Sequence, residues 1–219
     1  MKNLLLFFFL CIAHVNLSAQ SEWKGIFLFE KFMPGKIVYK TGTEKSALLN
    51  YNKVDEKMYF ILQDPDSTLL ELTQTSYIAE ISIANRNFEH IKEGQFYEKI
   101  NIDNNALYIR WKSSIVSEGK SVGYGIKSST GAVDNAARAF GHLTTQKLQS
   151  TESFKTNSHN VYYLKILNEF KRFDSFKSLG KLLKKQGKSA ETYVKSENLD
   201  FKSVEDIKKA VAYYSQDSQ

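Results

Sequence analysis

The chain has 219 residues, a formal charge of +6 and a single cysteine, Cys11. That length suits one large domain, or one domain with a small appendage, and it can bury a core without covalent staples. Only two prolines, Pro34 and Pro65, stand against 15 Phe and 12 Tyr, a composition of folded strands and not of a disordered linker.

The chain opens with Lys2, then a nearly unbroken apolar run over residues 4–15, then Leu17-Ser18-Ala19-Gln20. A positive start, a short apolar stretch and small residues after it have the layout of a secretory signal peptide. The run is shorter than the roughly 20 residues that a permanent membrane-spanning helix needs. Residues 1–20 are therefore expected to be removed, which leaves 199 of the 219 and no transmembrane helix. Cys11 would leave with them, and a thiol-free chain excludes a disulfide, a cysteine nucleophile and a cysteine metal site. Acylation of Cys11 calls for a small residue before it, where this chain has Leu10. The expected location is the periplasm, the outer membrane or the exterior, where a basic excess favours anionic lipid or polysaccharide; nucleic acid is not expected there.

From residue 36 to residue 113 the apolar period is mostly two. Residues 36–40, 47–51, 58–62, 68–73, 78–83, 95–100 and 106–111 are short runs rich in Val, Ile, Tyr and Phe. Turn residues separate them, among them Gly42, Asn52 and Asp64-Pro65-Asp66. This pattern predicts antiparallel strands, and their apolar face needs a cover, so a sandwich or partly closed barrel is expected. Residues 117–153 are rich in Gly, Ser, Thr and Ala; 122–126 suggest a strand and 128–149 a long loop. A hairpin about Leu167-Asn168 is predicted over residues 160–174.

The period then changes. Asp174 or Ser175 can cap a helix with Phe176, Leu179 and Leu183 on one face, ended by Gly187. A second short helix is predicted over 190–196. Ser203-Val-Glu-Asp206 has the form of a capping box, and Val204, Ile207, Val211 and Tyr214 recur at helical spacing behind it. The expected fold is thus α+β: a signal peptide over 1–20, an antiparallel β-rich body over 21–174 with its Gly/Ser-rich loop near 117–153, and a small helical C-terminal unit over 175–215.

The segments Gly35-Lys-Ile-Val-Tyr-Lys-Thr-Gly42, Ala47-Leu-Leu-Asn-Tyr-Asn52, Phe96-Tyr-Glu98 and Leu107-Tyr-Ile-Arg-Trp-Lys112 carry a resemblance. So do Lys177-Ser-Leu-Gly-Lys-Leu-Leu-Lys184, Tyr193-Val-Lys195 and Asp200-Phe201 in the tail. With these the chain resembles an uncharacterised exported protein family of Bacteroidota-type bacteria. The resemblance covers most of the chain beyond the leader, implies an envelope location and brings no known activity, so it assigns no catalytic residue.

Motifs for chemistry are few. His90, His142 and His159 stand in separate contexts, and no Gly-x-Ser-x-Gly elbow accompanies them. His90 and Glu93 lie three apart in an expected loop with no partner pair, and His-Glu-x-x-His is absent. Asp64 and Asp66 fit a proline turn. Gly119-Lys120-Ser121 resembles the end of a phosphate loop, but position 114, where the first glycine belongs, is Ser114. No cofactor or metal is expected. Tyr51, Tyr59, Tyr77, Tyr97, Tyr108, Trp111, Tyr124, Tyr162 and Tyr163 would line a cavity if the sheet curled, or else form core and cross-strand pairs.

One feature points to a surface. Lys177, Lys181, Lys184, Lys185 and Lys188 fall on one side of a continuous helix, and residues 175–189 hold no acid. Such a face suits anionic lipid headgroups or acidic glycan, although a charge run of this kind is more often an ordinary solvated face. The expected function is an exported, non-catalytic, envelope-associated binding or structural protein. The alternatives are a carrier of an apolar ligand inside a curved sheet, a hydrolase built on His142 or His159, and a tail that docks on another envelope protein.

Overall fold

The structure is a computed structural model, and it describes residues 25–62, 68–92, 94–117, 120–122, 126–128, 154–184 and 188–216. Strands β1 (Met33–Tyr39), β2 (Glu44–Asn52), β3 (Lys57–Ile61), β4 (Leu69–Glu71), β5 (Ile78–Ile83), β6 (Arg86–Lys92), β7 (Gln95–Ile102) and β8 (Asn105–Arg110) follow one another in a meander. Next come β9 (Ser113–Ser117), β10 (Lys120–Val122), β11 (Ile126–Ser128), β12 (Phe154–Ser158), β13 (Val161–Ile166) and β14 (Glu169–Phe173). Helices α1 (Phe176–Leu182), α2 (Lys188–Ser196) and α3 (Val204–Ser215) close the described chain.

Ten strands form one antiparallel sheet in the order β14-β13-β8-β7-β6-β5-β1-β2-β3-β4. The remaining four pair off as β9 with β12 and β10 with β11. The fold is α+β, as the period change at residue 174 implies. The sheet is open, with β14 and β4 at its edges.

Register places one row of side chains straight across seven strands. Ile37 faces Ile81, Ile81 faces Phe88, Phe88 faces Glu98, Glu98 faces Ile109, Ile109 faces Tyr162 and Tyr162 faces Phe173. Side chains alternate between faces along a strand, so these seven mark the core side of the whole sheet. All are buried, and Glu98 is the one charged member.

Two cores share that face. Over the β1–β7 half the sheet curls on itself around Ile37, Leu49, Tyr51, Met58, Ile81, Ile83, Phe88 and Phe96. Over the other half the helices provide the cover: Leu179, Leu183, Ala190, Ile207, Ala210, Val211 and Tyr214 pack on Leu107, Ile109, Tyr162, Leu164 and Phe173. A third, smaller cluster of Ile26, Phe27, Tyr59 and Ile115 lies apart from these. Buried Asn50 fixes the incoming chain there, accepting from the Phe29 N–H and donating to the carbonyls of Phe29 (2.9 Å) and Lys31 (3.2 Å).

The curl closes a seam. β3 and β7, five places apart in the sheet, come into contact. The β2–β3 corner meets the end of β8, where Ser113 N–H donates to the Lys53 carbonyl at 2.8 Å and the Tyr51 hydroxyl donates to the Trp111 carbonyl at 3.3 Å. Arg110 at the end of β8 forms a two-pronged ion pair with Glu56 on that corner, and Lys112 adds a third contact at 3.2 Å.

Helix starts follow the sequence. Ser175 caps α1 in a capping box with Ser178, and Ser203 caps α3 by accepting from the Asp206 N–H at 3.2 Å. The end of α1 does not follow it. The helix stops at Leu182, with Leu183 as its cap and Lys184 left-handed at φ 56°, short of Gly187. The chain has to turn there because Leu183 and Ala190 pack in one core.

Three strand expectations also change. The segment about His90, expected as a loop, is strand β6. Its sequence Arg-Asn-Phe-Glu-His-Ile-Lys carries polar residues on both faces, so no alternation shows. β12, Phe-Lys-Thr-Asn-Ser, is missed for the same reason. The strand expected over 122–126 is instead the two short strands β10 and β11, paired through Lys120–Ser128 and Val122–Ile126. Of the loop expected over 128–149, Ser128 ends β11 and the rest lies outside the described residues, as does the leader.

Gly35 tests the packing of the curl. A Cβ there would stand 2.6 Å from the Ser82 carbonyl oxygen and 2.7 Å from Leu49 Cδ1. Gly35→Ala is expected to lose about 1–3 kcal/mol in urea unfolding, the range for overpacking; unchanged stability would contradict a tight contact between β1 and β5.

Candidate functional site

The lysine segment is built by α1 and the turn after it. Phe176, Leu179 and Leu183 point into the core, so Lys177 and Lys181, one turn apart, are left exposed. Lys184 is exposed just past the cap. Lys185 lies outside the described residues, and Lys188 opens α2. The single helical face of five lysines therefore does not form. Two lysines share α1, a third sits on the turn and the fifth belongs to another helix, because the helix ends at Leu182.

Those three lysines differ from many others in the chain. Lys36, Lys57, Lys99, Lys112, Lys165, Lys171, Lys208 and Lys209 each pair with a carboxylate. Lys177, Lys181 and Lys184 have no acidic partner among the described residues. Lys181 lies in the last turn of α1, where a cation also complements the helix dipole.

The histidines do not assemble a site among the described residues. His90 lies on the core side of β6, edge-on to Phe96 with ring centres 5.4 Å apart, and its Nε2 is buried without a hydrogen bond. Burial, helped by Lys40, pulls its pKa below the usual histidine value. His159 is exposed, and its backbone N–H donates to the Lys112 carbonyl. His142, Glu93, Asp64 and Asp66 lie outside the described residues.

The aromatic residues divide between two faces and fill space. Tyr51 and Tyr108 are fully buried, and Tyr59, Tyr97 and Tyr162 nearly so. Tyr51 stacks on Phe88 inside the curl. On the opposite side of the sheet Tyr97 stacks on Tyr163 at 5.3 Å, and Phe170 sets its edge against Tyr108 at 4.9 Å. Burial pushes the Tyr97 hydroxyl up to about 12. Glu89 joins this band, accepting from the Tyr108 hydroxyl at 2.8 Å and pairing with Lys99 and Lys165. Tyr77 is exposed, and Tyr124 lies outside the described residues. These aromatics form core and ring-stacking contacts rather than the lining of a cavity.

Two arrangements escape a reading by sequence. The first joins Arg86, Glu98 and Trp111. Arg86 Nε donates to Glu98 Oε1 at 2.6 Å while Nη2 donates to Oε2, and Trp111 Nε1 donates to Oε2 at 2.6 Å. The Arg86 guanidinium lies 4.8 Å from the Trp111 ring centre and 5.2 Å from that of Phe29. The available signal was Glu98 itself, an acid at an apolar-face position between Phe96 and Ile100.

The second lies at the seam. A cleft of about 390 Å³ is walled by the β2–β3 corner and the start of β3 (Asp55 to Met58), the end of β4 and the segment after it (Glu71 to Thr75) and the β6–β7 turn (Gly94, Gln95). The Tyr59 hydroxyl donates to Asp55 Oδ2 at 2.6 Å, and the Lys57 N–H donates to Oδ1 at 3.2 Å. Burial pushes the Asp55 carboxyl up to about 6, outweighing these bonds and the charge of Lys57. Sequence gave no hint, because Asp55 reads as one more turn residue.

No protein-family model, curated protein or solved structure matches this chain. The site therefore rests on its own geometry.

Asp55 has a consequence for stability. Its folded pKa of about 6 exceeds the ordinary aspartate value of 3.8, so the native state holds the proton more tightly. Stability from this group is present below about pH 4 and is lost as pH rises through about 6. Asp55→Asn is expected to raise Tm at about pH 7.5, by roughly 2–4 °C for each kcal/mol of relieved burial, with the gain narrowing at about pH 4. An equal difference at both pH values, read by calorimetry, would contradict the assignment.

Proposed function

We propose that the protein is exported and acts, without catalysis, as an envelope-associated binding protein that docks on an anionic lipid or glycan surface. The leader-like start and the absence of a thiol beyond it support export. The observation that carries the docking is the group Lys177, Lys181 and Lys184, exposed and without acidic partners among the described residues.

Physics sets the scale. A basic residue near a charged membrane surface contributes ~1 kcal/mol, and that attraction fades within a Debye length. Three such residues give weak, salt-sensitive and reversible docking. The hydrophobic side of α1 stays in the core, so contact is electrostatic and does not require insertion. No helix among the described residues is long and apolar enough to cross a membrane.

A surface role fits the interior better than a carrier role does. Leu49, Tyr51, Ile81, Ile83, Phe88 and Phe96 fill the curl of the sheet. The seam cleft mixes charged and polar groups with Met58 and Leu72, and a shallow groove beside the β7–β8 and β13–β14 turns is mainly polar.

Cosedimentation with vesicles tests this reading. The chain from Ser21 is expected to bind phosphatidylglycerol vesicles, to leave phosphatidylcholine vesicles unbound, and to release when salt is raised. The triple variant K177E/K181E/K184E is expected to bind at least tenfold more weakly while its Tm stays within a few degrees of the parent. Parent protein that ignores anionic vesicles and acidic glycans alike, or a triple variant that binds as well as the parent, removes the proposal.

A further inference from the structure

The seam cleft is the second feature with an unmet chemical demand. It is formed where the curl brings the β2–β3 corner, the segment after β4 and the β6–β7 turn together, and its volume of about 390 Å³ falls among small-ligand sites. Three carboxylates line it, and they are not equivalent. Glu56 is matched by Arg110 and Lys112. Glu71 is matched by Lys57 at 2.9 Å. Asp55 has no ion-pair partner among the described residues, and its carboxylate accepts from the Tyr59 hydroxyl and the Lys57 backbone N–H.

Met58 and Leu72 give the wall an apolar share, and neutral polar groups complete it. Thr73, Gln74, Thr75 and Gln95 contribute hydroxyls and amides. Gln95 Oε1 already accepts from the Tyr97 hydroxyl at 3.1 Å, which leaves its amide hydrogens to donate. One unmatched carboxylate among hydroxyls and amides suits a ligand that brings one cation and several hydroxyls.

We propose that the seam cleft binds a small polyhydroxylated ligand bearing a protonated amine, of the amino-sugar class, with Asp55 as counter-ion to the ammonium. A charge-assisted hydrogen bond to Asp55 supplies the attraction, and the amide and hydroxyl wall reads the ring hydroxyls. The burial that raises Asp55 to about 6 agrees with this, since a bound cation offsets the cost of its charge. The groups that face Asp55 are Lys57 and Tyr59 of β3, Glu71 of β4 and, through its hydroxyl, Tyr51 of β2. This site is separate from the lysine segment, and neither proposal depends on the other.

Titration calorimetry on the chain from Ser21 tests it with three probes: glucosamine, glucose and N-acetylglucosamine. At about pH 7 glucosamine is expected to bind at least tenfold more tightly than the other two, which lack the ammonium. Asp55→Asn keeps the fold and is expected to erase that preference. Lowering the pH to about 5 is expected to weaken glucosamine and leave glucose unchanged, because Asp55 takes up its proton. The variant K177E/K181E/K184E is expected to bind glucosamine as the parent does. No heat with any probe, equal affinity for glucosamine and glucose, or a preference retained by Asp55→Asn would each overturn the proposal.

Discussion

A single carboxylate at the middle of the apolar face governs this fold. Glu98 occupies the fourth place in a row of seven buried side chains, between Phe88 on one strand and Ile109 on the other. A carboxylate in that position destabilises the fold unless its charge and lone pairs are met. Arg86 meets the charge with two parallel hydrogen bonds, and the Trp111 indole N–H takes a further lone pair. Trp111 packs against both large cores. The trio therefore ties the curled half of the sheet to the half that the helices cover. It also fixes the relative places of β6, β7 and the chain just after β8, from which the seam follows. Arg110 and Lys112 flank Trp111, and they are the residues that reach Glu56 across the gap.

Function enters through what this arrangement leaves unmatched. Most charges on the sheet are paired: Glu89 with Lys99 and Lys165, Glu56 with Arg110 and Lys112, Glu71 with Lys57. Two of the places left unpaired bear on function. Lys177, Lys181 and Lys184 are turned outward because Leu179 and Leu183 are turned in. Asp55 is half-buried in the seam because the curl carries its corner against the β6–β7 turn. One place offers positive charge to a surface, and the other offers negative charge to a small molecule. Both follow from how the cores are packed.

Legibility in the sequence follows the physics of each element. Strands with one apolar face and one polar face, such as β5 with Ile81 and Ile83 buried and Glu80 exposed, are visible from alternation. The tail helices are visible because Ser175 and Ser203 cap them and Leu179, Ile207 and Val211 recur at helical spacing. β6 is hidden because Arg86 and His90 occupy the core side along with Phe88, so the period of two is masked by polarity. The end of α1 is hidden because nothing between Leu182 and Gly187 marks a stop, and the turn is imposed by the packing of Leu183 and Ala190. The seam is invisible for a different reason. Glu56 and Arg110 are 54 residues apart, and only the curl brings them together.

The direct measurement is a double-mutant comparison of urea unfolding at Arg86 and Glu98. Arg86→Met strands a carboxylate whose side chain is 6% exposed, and it is expected to lose about 3–5 kcal/mol, the range for breaking a buried pair. The double variant R86M/E98L removes both charges and is expected to recover most of that loss. If Arg86→Met stays within about 1 kcal/mol of the parent, or if the double variant is no more stable than the single one, the pair does not hold the two cores together.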